Sequence, residues 1–180
     1  RRAEAAESAG LIGAEYRCLE FRDMSIFSDD PSRRRVTEFL RAVRPDLIFT
    51  SSPADYLSDH EMTSRLVRDA CFAATIPNYA TGSAPLSKIP HLYFMDPIDE
   101  RITPDLWIDV TAVFDTKRAM LAQHRSQGNW LSQQHGIDDY LVQMERWTRE
   151  NGERAGYQYA EGFRQHKVHP FPQTPGFELP

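Results

Sequence analysis

Apolar positions recur along the chain with two periods. Val36, Phe39, Leu40 and Val43 fall at i, i+3, i+4 and i+7, one face of a helix. Ser28-Asp29-Asp30-Pro31-Ser32 starts that helix, and Arg44-Pro45-Asp46 ends it, because a residue before proline avoids the helical region. A second helix is predicted from about Asp59 to Ala74, with Leu66, Val67, Ala70, Cys71 and Ala74 inward. Thr111 can cap a third running to about His124, with Val113, Phe114, Leu121 and His124 near one face. A fourth covers roughly Asp138 to Glu150. The chain opens on Arg1-Arg2-Ala3-Glu4-Ala5-Ala6-Glu7, which reads as the middle of a helix, with Gly10 or Gly13 as a left-handed cap behind it.

The other period is two. Tyr16 to Phe21 alternates polar and apolar residues as a strand does. Leu47-Ile48-Phe49-Thr50, His91 to Met95 (ended by Asp96-Pro97) and Leu106 to Val110 are short apolar strands. Strands alternating with helices predict an α/β chain with a mostly parallel sheet covered on both faces. Right-handed crossovers then gather the strand C-terminal ends, and the loops after them, along one edge where ligands bind. The loop from Ser51 to Asp59, leaving a strand and entering a helix, is the place for chemistry. The expected organisation is a single domain over 1–180, with an extended proline-rich tail over 168–180.

Composition narrows the function classes. The chain has 180 residues and a net charge of −5, a balance that argues against affinity for nucleic acid built on phosphate neutralisation. No run reaches the roughly 20 apolar residues of a membrane span. Cys18 and Cys71 form neither a disulfide framework nor a CxxC metal pair, so a reducing cytoplasm is the expected location. There is no initiator Met and no leader pattern, and the expectation is that residues ahead of Arg1 complete the first helix and the strand before it. No glycine-rich phosphate loop and no GxSxG elbow occurs, which leaves nucleotide binding and serine hydrolysis without support.

The loop reads Ser51-Ser52-Pro53-Ala54-Asp55-Tyr56-Leu57-Ser58-Asp59-His60-Glu61. An Asp-His pair in the first turn of a helix suits a divalent metal: imidazole gives a nitrogen donor, and carboxylates orient it or bind as oxygen donors. The plainer reading makes Asp59 a helix cap and His60 a surface histidine.

Asp55-Tyr56-Leu57-Ser58-Asp59-His60, together with Arg1-x-x-Glu4, Ala9, Gly13 and Arg44 to Thr50, resembles the LmbE/PIG-L superfamily of N-acetylglucosaminyl deacetylase-like proteins. Lys117-Arg118-Ala119-Met120-Leu121, His124-Arg125-Ser126-Gln127 and Tyr159-Ala160-Glu161-Gly162-Phe163-Arg164 extend the resemblance over nearly the whole chain. It implies a Rossmann-like three-layer α/β fold and one catalytic zinc. In the family an early His-Pro-Asp-Asp motif supplies two metal ligands and the general base, and the last His of a second motif, His-Pro-Asp-His, supplies the third. That last His aligns with His60. Zinc with three protein ligands and an open position lowers the pKa of water and polarises a carbonyl. Arg1 matches an arginine that contacts substrate in some members.

Two departures stand out. No His-Pro-Asp-Asp occurs, so two further zinc ligands are expected upstream of Arg1. Leu57 replaces the first His of the second motif, whose loss could cost on the order of 100-fold in rate. Tyr56 or Asp55 could substitute, and Asp59 would ordinarily pair with the missing ring. The resemblance therefore implies a zinc-dependent hydrolase of the deacetylase type, removing an N-acyl group from a small polar or sugar-like substrate. A zinc-dependent hydratase of an unsaturated dicarboxylate, and a degenerate non-catalytic member, are the alternatives. A small molecule is the expected partner, and the aromatic-rich C-terminal third could supply a homo-oligomer contact.

The rest carries less chemistry. His124 reads as a core histidine, Ser126-Gln127 as a hydrogen-bonding element near the pocket, and Glu161 as a buried partner for an arginine or for backbone. His166 and His169 read as surface tail residues, and Trp107, Trp130 and Trp147 as core or interface aromatics. The loops from Asn78 to Ile89 and from Asp96 to Pro104 are where specificity would reside.

Overall fold

The computed structural model describes residues 1–95, 103–136 and 140–177. Asp96-Pro97, most of the loop from Asp96 to Pro104, Asp138 and the last three residues of the tail lie outside them. The elements in order are α1 (Arg2–Gly10), α2 (Asp30–Val43), β1 (Leu47–Thr50), α3 (Ser58–Ala73), β2 (His91–Met95) and β3 (Leu106–Asp109). A 3-10 turn (Thr111–Val113), α4 (Phe114–Ala122), α5 (Arg125–His135), α6 (Tyr140–Ala155) and β4 (Ala160–Gln165) follow. The chain forms two compact units, one of Arg1–Cys18 with Trp107–Glu161 and one of Leu19–Leu106 with Gly162–Pro180.

A four-stranded sheet flanked by helices bears out the α/β class, with strand order β1-β2-β4-β3. The expectation of a mostly parallel sheet needs correcting. β1 and β2 pair in parallel, Leu47 opposite His91 through Thr50 opposite Phe94. β4 runs against β2, with Tyr93 opposite Gln165 and Met95 opposite Phe163. The amide of Asp105 donates to the Phe163 carbonyl and that of Val110 to the Tyr159 carbonyl, so β4 is antiparallel on its other side too. A strand returning from α6 thus enters in reverse, and a period-two pattern carries no information about direction. β4 was not expected as a strand at all, because Gly162 and the charges Glu161 and Arg164 mask its alternation.

In the larger unit, α2 is set by Asp29, whose side chain accepts the Ser32 amide at 2.8 Å, and by Pro31 in its first turn. It closes on Arg44 in the left-handed region. Val36 and Leu40 meet Leu66, Ala70, Cys71 and Ala74 of the α3 segment, and Leu92 and Phe94 add the sheet. Alternation along β2 puts Tyr93 on the opposite face, against Phe49 at 5.6 Å and Phe177 at 5.7 Å. Burial pushes the Cys71 thiol up to about 12, so it behaves as a small apolar side chain. The tail is not merely surface chain: Phe171 is buried in this core, and the Tyr93 hydroxyl donates to the Pro175 carbonyl at 2.7 Å.

Tyr16–Phe21 forms no strand among the described residues. Glu20 takes a φ of 55°, which breaks an extended run, and Leu19 and Phe21 pack on the core as irregular chain instead. A second loop is held by charge. Glu38 accepts the Ser83 hydroxyl at 2.6 Å and its amide at 2.9 Å. These bonds, first that hydroxyl and then the Thr81 side chain, lower its carboxyl from 4.5 to about 2. A depressed carboxyl contributes stability above its unfolded value and loses it as pH falls. Glu38→Gln is therefore expected to lower the melting temperature at neutral pH and to flatten its dependence on pH between about 4.5 and about 2, leaving the value below about 2 little changed.

The smaller unit packs α1 against α4 and α4 against α6. Its core is Val110, Phe114, Met144 and Tyr159, with Phe114 and Tyr159 stacked at 3.8 Å. Thr111 does not cap α4; it lies in the 3-10 turn, and its side chain accepts the Tyr159 amide at 3.2 Å. α5 is a helix the sequence reading missed; the predicted third helix breaks at His124, which is the N-cap of α5 rather than a member of an apolar face. Gly152 lies inside α6 where a Cβ would stand 2.7 Å from the carbonyl oxygens of Tyr157 and Gln158, a contact only glycine permits.

Candidate metal-binding loop

β1 ends on buried Thr50, and the chain turns through Ser52, whose side chain accepts the Ala54 amide at 3.2 Å. Asp55 follows with a side chain only 9% exposed. Its Oδ1 accepts the Leu57 amide at 3.1 Å and faces His60 Nδ1 at 2.8 Å, while its own amide donates to Glu61 Oε1 at 3.0 Å. The loop is thereby closed onto the first turn of α3. The His60 ring is 42% exposed, with Tyr56, itself exposed, edge-on at 5.4 Å. A carboxylate only accepts, so this contact puts a proton on Nδ1 and, in the neutral ring, leaves the lone pair on Nε2. That is the carboxylate–histidine arrangement in which a second partner orients a metal ligand.

Asp59 is turned to another task. It is not the cap of α3, since Leu57 holds that position without a side-chain bond. Its buried carboxylate accepts the Met24 amide at 2.6 Å and the Ile26 amide at 3.4 Å, pinning the 24–26 loop, where Met24 takes a φ of 57°. The structure thus brings Asp55, Tyr56 and His60 together and ties Asp59 to residues some 35 positions earlier in the chain. Arg1 is exposed at the start of α1, in the smaller unit.

As a test of the donor set, His60 fits as one oriented nitrogen ligand. Among the described residues no group of three or more His, Cys, Asp and Glu is arranged to hold a metal. Away from the loop, Ser126 donates its amide (2.9 Å) and hydroxyl (2.5 Å) to Glu4, and that pair of bonds lowers the Glu4 carboxyl. Glu161 pairs with Lys117 at 2.6 Å rather than with an arginine, and Lys117 also donates to Thr148. His166 is no surface residue: it meets Phe171 at 4.5 Å and Phe94 at 5.5 Å edge-on, and burial lowers its pKa. Trp130 and Trp147 are both exposed beyond a third of their surface, so neither is core.

Residues 1–71 match the profile of the PIG-L family, GlcNAc-PI de-N-acetylase, in line with the resemblance carried by the motifs in that stretch. Over 125 residues the chain is 27% identical to the 4-oxalmesaconate hydratase of Pseudomonas putida, a stretch that covers 67% of this chain. It spans about half (48%) of that curated relative's length. Among solved structures, a conserved protein of Thermus thermophilus superposes with a TM-score of 0.81 at 24% identity, over 98% of this chain and 76% of that one. The 4-carboxy-2-hydroxymuconate hydratase of Pseudomonas putida gives 0.74 at 23%, over 99% and 74%. Both likenesses show the fold alone. An N,N'-diacetylchitobiose deacetylase of Pyrococcus horikoshii gives 0.73 at 25%, over 96% and 66%. The matched proteins of stated activity are thus enzymes, deacetylase and hydratase. Among the described residues no helix is long and apolar enough to cross a membrane.

Proposed function

We propose that this chain belongs to a zinc-dependent hydrolase of the deacetylase type, which removes an N-acyl group from a small polar, sugar-like molecule. The observation that carries the reading is the Asp55–His60 pair, which leaves His60 Nε2 as an oriented donor on an exposed ring. Zinc bound there would supply Lewis acidity toward a carbonyl and toward water. His60 would hold the ion together with donors outside the residues described. Asp55 acts as a positioning residue by holding the tautomer and the ring plane. Tyr56 offers an aromatic wall and a hydroxyl beside the ring, and Asp59 holds the 24–26 loop against the first turn of α3. Support comes from the PIG-L match and the deacetylase among the structural neighbours.

One observation favours a second reaction on the same residues, hydration of an unsaturated dicarboxylate. Leu57 stands where deacetylases of the family carry a histidine, and a hydratase is among the curated relatives. The full-length protein with zinc decides between them. Acetate release from an N-acetylated sugar is the expected result; loss of an enoate absorbance without acetate would overturn hydrolysis in favour of hydration, and neither signal would overturn both.

A further inference from the structure

Asp55 is tied to α3 at two points. Its carboxylate meets His60 Nδ1 at 2.8 Å, and its amide donates to Glu61 Oε1 at 3.0 Å. Both contacts lead to consecutive residues in the first turn of one helix. The carboxylate contact alone sets a distance to the ring. The second attachment also fixes how the Asp55 backbone is turned, and so where its side chain points. The other bonds here stay inside the loop: Asp55 Oδ1 accepts the Leu57 amide at 3.1 Å, and Ser52 accepts that of Ala54. They shape the turn without anchoring it. α3 is the rigid partner, 16 residues long with Leu66, Ala70 and Cys71 buried in the core.

An acid in a first helical turn is ordinary, since the dipole favours it. What singles out Glu61 is where it reaches. In a capping box such an acid returns to the amide of the N-cap residue. Here the N-cap is Leu57, its amide is taken by Asp55, and Glu61 reaches two residues further back. A carboxylate accepting from a backbone N–H makes a charge-assisted bond, stronger than a neutral one.

We propose that Glu61 is a positioning residue for His60 and acts through Asp55. By holding the Asp55 main chain to α3 it keeps the carboxylate on Nδ1, so that the neutral ring turns a single nitrogen, Nε2, outward. That the ring so held binds zinc rests on the reading of His60 as a metal ligand; the hold itself does not.

Nitrogen-15 spectra of the metal-free His60 imidazole in the full-length protein test this, at about pH 8 where an ordinary histidine is neutral. Glu61→Gln keeps an acceptor of the same reach and is expected to keep the proton on Nδ1. Glu61→Asp keeps the charge but falls a methylene short, and Glu61→Ala keeps neither; both are expected to show a mixture of tautomers. Zinc affinity, read by chelator competition, is expected to fall about tenfold in these two and to hold within about threefold in Glu61→Gln. In an Asp55→Asn background Glu61→Ala is expected to cost less than about twofold more, because its effect passes through Asp55. A purely structural role would lower the urea midpoint and leave the tautomer unmoved. One tautomer kept in both Glu61→Asp and Glu61→Ala, Glu61→Gln falling with Glu61→Ala, or effects at 55 and 61 that simply multiply would overturn the assignment. If Glu61→Ala does not fold, the contrast between Glu61→Asp and Glu61→Gln decides. Failure of the metal reading is seen separately, as zinc retained in His60→Ala, and leaves the metal-free spectra readable.

Discussion

Arg41→Ala is expected to destabilise the larger unit by about 3 kcal/mol or more, the worth of two hydrogen bonds to a charged group at about 1.5–3 kcal/mol each. Arg41 is 2% exposed and spends its whole fork on one turn. Nε donates to the Ala74 carbonyl at 3.0 Å, and Nη2 to those of Ala73 and Ile76 at 3.3 and 2.8 Å. Nη1 donates to Thr81 Oγ1 at 3.0 Å and to the Ser83 carbonyl at 3.4 Å. The carbonyls at the end of α3 carry the negative end of its dipole, so a cation there is favoured as well as bonded. Arg41→Lys is expected to recover only part of the loss, since an ammonium cannot reproduce a planar fork. Urea unfolding followed by circular dichroism checks this: the midpoint falls with an unchanged slope. A loss below about 1 kcal/mol would mean that water replaces the fork at little cost.

The second large effect falls on metal binding. His60→Ala is expected to abolish stoichiometric zinc in the full-length protein, because three-ligand sites do not hold the ion on two. Asp55→Asn is the more telling variant. It preserves shape but can offer an N–H to Nδ1, which moves the proton to Nε2 and removes the donor lone pair. Loss of such an outer partner typically lowers metal affinity by about 10- to 100-fold. Competition with a zinc chelator reads both numbers. If Asp55→Asn keeps its affinity, the 2.8 Å contact is not orienting the ring.

Much of the larger unit was legible because local signals agree there. Asp29 with Pro31 starts α2, Val36 and Leu40 repeat on one face, and Pro45 bars extension; His91–Met95 emerged with its stated bounds. What escaped was long-range. Tyr16–Phe21 alternates but has no described partner strand, and alternation alone makes no ladder. β4 carries a glycine and two charges, and its reversal is set by where α6 delivers it. Arg41 on a helix reads as a solvated charge until the turn from residue 73 to residue 83 folds over it. His166 seemed a tail residue because nothing local announces Phe94 beside it.

The candidate site shows the same division. His60 was legible from the loop between strand and helix, and Asp55 was named only as a stand-in for the histidine replaced by Leu57. The structure makes it the partner of His60, five residues on, a spacing no periodic rule selects. Asp59 was read through its neighbour, whereas its bonds go to Met24 and Ile26.

Nitrogen-15 spectra of the His60 imidazole, recorded on the full-length protein before and after one equivalent of zinc, probe the ring atom by atom. A proton on Nδ1 throughout and a zinc-induced shift of the Nε2 resonance are the expected result. A ring whose two nitrogens ignore the metal, or whose Nδ1 takes it in place of Asp55, would contradict it.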